Sequence, residues 1–182
     1  MRGLLVLLGL GALATFFFAS TSAAQTVSDS TTQVPGTAPM SGSGIARGIG
    51  DNNPFNIKYV PANNWDGQTG SDGTFCVFNS PVKGYSAGFK LLFNWYSNYG
   101  LDTVSGIINR QAPPSENNTS AYIKYVAENL DVGPDDVLNI YDDDTLLSLA
   151  NAMTSVEQGS LPWGQDVIAA GLADAKAAKG IA

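Results

Sequence analysis

Apolar positions recur at helical spacing through most of the chain beyond residue 80. Ser80-Pro81 reads as an N-cap followed by proline at the first helical position. Tyr85, Phe89, Leu92, Phe93 and Tyr96 then share one broad face, and Gly100 stops the run. Asp102 is placed to cap a short second helix carrying Val104, Ile107 and Ile108, which Pro113-Pro114 ends. A third helix opens at Thr119, turns Tyr122, Ile123, Val126 and Leu130 inward, and closes at Gly133-Pro134. The pattern places Asp144 as the cap of a fourth, running from Thr145 to about Glu157, and an Ala- and Lys-rich helix from Asp166 to near Lys179 as the last. Ahead of them all, residues 55–59 and 74–78 carry the pattern of a short hairpin with Cys76 facing inward. Five helices and a small hairpin predict an α+β, mostly helical domain.

The N-terminal part obeys no such pattern. Arg2 precedes an uncharged apolar stretch over residues 3–19, and Ser22-Ala23-Ala24 supplies the small residues that signal cleavage requires. Residues 1–22 therefore read either as a secretory signal or as a retained hydrophobic helix anchoring the protein in a membrane; the apolar stretch spans about 25 Å as a helix, at the short end for a bilayer. Residues 23–46 are a flexible Ser/Thr/Gly/Pro linker with no apolar face. The folded domain occupies residues 47–182.

Composition removes several function classes. The chain has 182 residues, 44% of them hydrophobic, with 9 basic against 16 acidic residues and a net charge of −7. That balance argues against a nucleic-acid partner, whose phosphates demand basic patches. The absence of histidine excludes Ser-His-Asp and Cys-His machinery and any His-ligated zinc site in this chain. A single cysteine excludes an intrachain disulfide. Asp142-Asp143-Asp144 lacks the spacing of a calcium loop and reads as a solvated helix entry. Neither a metal nor a cofactor is expected.

The chemistry concentrates in two places. The run from Gly48 to Tyr59, with Asn52, Asn53, Pro54 and Asn56, leads into Trp65-Asp66-Gly67-Gln68. Amides donate and accept hydrogen bonds, and an aromatic face stacks on a sugar ring. Asn52, Asn53, Asn56 and Trp65 are thus candidate glycan-binding residues, beside the plainer reading that these are turn formers. The second place is acidic. Leu146, Ala150, Met153 and Glu157 share one helical face, so the Glu157 carboxyl is poorly solvated and its pKa is raised, as a general acid for glycoside cleavage requires. Glu116 stands between Pro113-Pro114-Ser115 and Asn117-Asn118-Thr119, with Tyr122 nearby as a phenolic partner. A helix N-terminus lowers a carboxyl pKa, which suits a base or an electrostatic stabiliser, and the two glutamates would form an unequal pair. The bland alternatives are a hydrated helix end for Glu157 and a helix-entry acid for Glu116.

Several segments resemble, in order, a family of phage virion proteins with lysozyme-like, cell-wall-degrading character. They are Asp51-Asn52-Asn53-Pro54-Phe55-Asn56-Ile57, Tyr99-Gly100-Leu101-Asp102-Thr103-Val104, Ile107-Ile108-Asn109-Arg110, Ala112 to Thr119, Tyr122-Ile123, Glu157-Gln158-Gly159 and Pro162-Trp163. The likeness covers roughly residues 47–175 and is most specific in the proline-rich Glu116 segment. Three departures stand out: Phe55 in place of a usual Gly, Gln111 in place of Trp, and Ser155 to Gly159 where Ile-Arg-His-Glu-Asn-Gly is frequent.

The resemblance implies a lysozyme-like domain that cuts peptidoglycan glycan strands, as a hydrolase or as a lytic transglycosylase. It implies a membrane-associated virion location or export to the periplasm, with other virion proteins as further partners. Glucosaminidases and transglycosylases place the glutamate helix before the Asn-Asn segment. Here Glu157 follows it, so the expected domain is circularly permuted. The alternative is a non-catalytic virion structural or peptidoglycan-binding module.

Overall fold

The computed structural model describes residues 46–182 apart from Glu116. The apolar stretch 3–19, the choice between signal and anchor, and the linker up to residue 45 lie outside the described residues. Among the described residues no helix is long and apolar enough to cross a membrane.

Local signals set most element boundaries. The Ser80 side chain accepts from the Lys83 amide and Pro81 occupies the first turn of the long helix α2 (Pro81–Tyr99), which Gly100 ends at φ +65°. Its predicted face is buried through Tyr85, Phe89, Leu92 and Phe93. Helices α3 (Val104–Gln111) and α4 (Thr119–Leu130) follow, then α5 (Asp143–Gln158) and α6 (Gln165–Lys179). The short α1 (Arg47–Gly50) precedes the Asn-rich loop. Helix α6 lies along α2, and Ile168, Leu172 and Ala175 bury the side between them. Helix α5 contributes Leu146, Leu149, Ala150, Met153 and Val156 to the same core.

Four sequence expectations are corrected. Thr103, not Asp102, caps α3: its hydroxyl accepts from the Gly106 amide, while the Asp102 carbonyl receives the Leu138 amide. Asp142, not Asp144, caps α5, accepting from the amide and hydroxyl of Thr145; the helix starts earlier, with Asp143 and Asp144 in its first turn where the dipole favours them. Helix α4 stops at Leu130 because Asp131 takes a left-handed φ of +54°, before Gly133-Pro134 is reached. The hairpin pairs β1 (Gln68–Ser71) with β2 (Cys76–Phe78), antiparallel, and residues 55–59 join it only through a lone bridge between Lys58 and Phe75. Asn52 and Asn56, at φ +52° and +47°, bend the loop out of an extended path, so Phe55 and Ile57 face inward without forming a strand. Cys76 does face inward and is fully buried.

The loop reaches the core because α2 has a notch there. A Cβ on Gly84 would sit 1.9 Å from the Asn52 carbonyl oxygen, and one on Gly88 would sit 1.8 Å from the Phe55 ring. Four residues apart, these glycines open one face of α2 to the loop. Phe55 enters beside Gly88 and meets Tyr85 and Phe89 edge to face.

Candidate active site

Two of the loop asparagines work inward. Asn53 is fully buried; its Nδ2 donates to the carbonyls of Ile57 (3.1 Å) and Cys76 (2.9 Å), and its Oδ1 accepts from the Ile57 amide (2.9 Å). Asn52 Nδ2 donates to the Phe78 carbonyl at 3.0 Å. These side chains staple the loop to the hairpin. In place of the expected sugar contact, Asn53 has a structural role, since no face of its amide reaches solvent.

Asn56 points the other way, towards the C-terminal end of α5. Its Nδ2 donates to Glu157 Oε2 at 2.9 Å and to the Glu157 carbonyl at 3.1 Å, and its Oδ1 accepts from Gln158 Nε2 at 3.1 Å. Gln158 Nε2 also donates to the carbonyls of Asn53 (3.2 Å) and Pro54 (3.1 Å). The last turn of α5 is therefore bolted to the Asn loop, 101 to 105 residues away along the chain.

Glu157 is the centre of this arrangement. Its Oε1 accepts from Gln111 Nε2 at 3.2 Å and from the Tyr122 hydroxyl at 3.1 Å, while Asn56 holds Oε2. Gln111, at the end of α3, is itself fixed by a 2.6 Å bond to the Phe55 carbonyl. The residue is half-buried and its carboxyl group is enclosed. Burial, the largest influence, pushes its pKa above the ordinary value, against the pull of the donors Gln111, Asn56 and Tyr122. Burial and the facing Glu157 carboxylate hold the Tyr122 phenol well above its ordinary value, so it stays protonated. The Tyr122 hydroxyl also lies 3.4 Å from the Met153 carbonyl. When Glu157 is ionised, Tyr122 donates to it. When Glu157 is protonated, Tyr122 can turn its hydrogen to Met153 and accept the carboxyl proton. The site accommodates both protonation states without moving a heavy atom.

A cleft of about 380 Å³ is lined by Asn56, Gln111, Trp65, Trp95, Lys58 and Arg110 among others; Glu157 does not line it and connects to it through Asn56 and Gln111. Asn56 and Gln111 thus belong both to its wall and to the grip on Glu157. Trp65 lines the cleft half-buried and packs against the core, with its indole N–H enclosed and unpartnered among the described residues. It is less exposed than a free stacking platform. Lys83 fixes the adjoining turn through Asp66 (2.6 Å) and Asp174 (2.9 Å). No group of acidic or cysteine side chains able to hold a metal occurs among the described residues.

Of the residues singled out from sequence, Glu157, Asn56 and Tyr122 meet in one place and Trp65 stands on the adjoining cleft. Tyr122 partners Glu157, whereas the sequence had set it beside Glu116, which lies outside the described residues. Sequence reasoning missed Gln111, Gln158, Trp95 and Arg110 as part of this region. Gln111 carried a signal, a polar residue at the end of an apolar helix.

No protein-family model matches the chain. It is similar to Protein P5 of Pseudoalteromonas phage PM2, with 38% identity over an alignment of 130 residues that covers 69% of this chain and 79% of that protein.

Proposed function

We propose that this chain, which belongs to the family of Protein P5 of Pseudoalteromonas phage PM2, is a virion-associated, lysozyme-like protein that cleaves peptidoglycan glycan strands with Glu157 as general acid. One observation carries the reading: an enclosed carboxyl with a raised pKa, held by an amide on each oxygen, where both amides also line an aromatic cleft. A glycosidic oxygen leaves only when protonated, and a carboxyl whose pKa is raised by burial is suited to supply that proton. Oε1 is occupied by Gln111 and Tyr122, whereas Oε2 has Asn56 as its side-chain partner. Oε2 is therefore the oxygen assigned to the leaving group. Before transfer the proton sits on Oε2, and after it Gln111 and Tyr122 donate to Oε1 of the ionised carboxylate.

The cleft lining includes no Asp or Glu among the described residues. A lytic transglycosylase, in which the sugar's own 6-hydroxyl captures the cationic intermediate, needs no second carboxylate, whereas a hydrolase does. Glu116 follows the cleft-lining Pro113 in sequence and is the candidate for that second group. The contacts of α5 with the Asn loop support a circularly permuted lysozyme-like arrangement, in which the glutamate helix is supplied from the far end of the chain. Residues 3–19 would serve either as an export signal or as a tie to a membrane.

Glu157→Gln preserves the shape and removes the proton. Turnover of purified peptidoglycan should fall by about a hundredfold or more, and products ending in a 1,6-anhydro ring would identify the transglycosylase. Full activity in Glu157→Gln with loss in Glu116→Gln would move the acid to Glu116. A second reading has its own support: three donors satisfy the Glu157 carboxylate, as they would in a purely structural glutamate. Peptidoglycan binding by the parent protein with no released product would establish that module.

A further inference from the structure

The cleft is charged against the grain of the protein. The chain carries a net charge of −7, yet the charged residues of the cleft lining, among the described residues, are Lys58 and Arg110, both cations. Arg110 sits in the last turn of α3, next to Gln111, whose amide reaches Glu157. Its guanidinium lies 4.8 Å above the ring of Tyr99, itself an exposed aromatic. Stacking fixes the plane of the guanidinium and leaves its N–H edges to bond outward. No described carboxylate pairs with it. A cation at the C-terminal end of a short helix is favoured by the dipole, but that alone gives no reason for placement in the cleft of an acidic protein.

We infer that Arg110 is a substrate-binding residue that receives a carboxylate carried by the glycan strand, so that the cleft selects strands bearing peptide stems with free carboxylates over uncharged amino-sugar polymers. This rests on the glycan reading of the cleft. A planar guanidinium matches a carboxylate with two parallel N–H bonds, which an ammonium cannot reproduce. Recognition at this point would also set register, because Arg110 and Gln111 both line the cleft: a stem bound by the first brings its strand to the wall formed by the second, which bonds Glu157.

The test is calorimetric binding to full-length protein carrying Glu157→Gln, which prevents turnover. Three probes of equal length are used: a peptidoglycan tetrasaccharide with free stem carboxylates, the same tetrasaccharide with those carboxylates amidated, and the N-acetylglucosamine tetramer. The carboxylated probe should bind about tenfold tighter than the amidated one, from charge-assisted hydrogen bonds at a partly solvated site, with the gap narrowing in high salt. Adding Arg110→Gln should abolish that gap while leaving affinity for the two uncharged probes unchanged, and Arg110→Lys should restore only part of it. A gap that survives Arg110→Gln, or an equal loss for all three probes, overturns the inference while the glycan reading stands. If no probe binds, the glycan reading itself fails and takes this inference with it.

Discussion

Gln111→Leu isolates the grip on Glu157 with a substitution of nearly unchanged volume. Gln111 Nε2 bonds the Phe55 carbonyl at 2.6 Å and Glu157 Oε1 at 3.2 Å, so leucine removes two bonds at once. The first loss leaves a main-chain carbonyl without its side-chain donor in a packed region and costs about 1–3 kcal/mol at any pH. The second matters only while Glu157 is ionised. A donor lost from a carboxylate adds about 1–2 kcal/mol more at neutral pH and little in acid. The total near pH 7 is about 2–5 kcal/mol, or about 3–5 °C of midpoint per kcal/mol for a domain of this size. Because Gln111 pulls the Glu157 pKa down, its removal raises that pKa further, and the stability deficit should grow with pH. Carboxyl carbon NMR of Glu157 reads the first effect and urea unfolding at several pH values reads the second. Gln165→Leu, which breaks an exposed reciprocal pair of bonds with Asn151, is the control and should stay within about 0.5 kcal/mol of the parent. An unmoved Glu157 titration with a pH-independent deficit would refute the claim that Gln111 holds the charged form.

Two further outcomes follow from the same geometry. Gly88→Ala should lose about 1–3 kcal/mol in chemical denaturation, although an alanine inside a helix ordinarily gains about 1 kcal/mol, because the new Cβ falls 1.8 Å from the Phe55 ring; unchanged stability would remove the notch from the account of how the loop docks. For Glu157 itself, burial raises the folded-state pKa above the ordinary 4.5, so the folded state binds the proton more tightly than the unfolded chain. Its contribution is fully present below that ordinary value and is lost as pH rises through the folded one. Unfolding of the parent and Glu157→Gln compared from about pH 4 to 8 should show the balance shifting towards the glutamine variant across that window, and a constant difference would place the carboxyl at its ordinary pKa.

How much of this was legible in the sequence depended on whether a signal was local. The Ser80-Pro81 start, the Gly100 stop and the buried face of α2 follow from residues within a few turns of one another, and the structure has them where the pattern put them. Cap identity failed twice by short shifts, at Asp102 and Asp144, because neighbouring Thr and Asp residues offer the same acceptor and tertiary contacts choose between them. The strand expected at residues 55–59 failed for a different reason. Its alternation of inward Phe55 and Ile57 is real, but the left-handed Asn52 and Asn56 override it. Gln111 was noticed only as a departure from a family pattern; its role depends on α3 ending beside the last turn of α5, which no local pattern encodes. Phe55, another departure, is explained by Gly88, because the glycine leaves the space that the ring fills.

The same distinction explains what the Asn-Asn-Pro segment is for. Asn52 and Asn53 hold the loop against the hairpin, and only Asn56 reaches the carboxyl. The motif therefore marks the scaffold more than the contact surface. A scaffold of this kind has a mechanical consequence. Asn56 and Glu157 are separated by 101 residues, so the ordering cost of bringing them together is met by burial in α2, α5 and α6, not by the polar bonds between them. Each of those bonds would contribute only about 1 kcal/mol net on its own. The polar cluster is thus stable because the core closes around it, and it sharpens the result: with Gln158 bonded to the carbonyls of Asn53 and Pro54 and to Asn56 Oδ1, a shifted register of α5 would break all three bonds and leave the Pro54 carbonyl without this donor. The residues that fix where Glu157 points are also those that would be left unsatisfied if it pointed elsewhere.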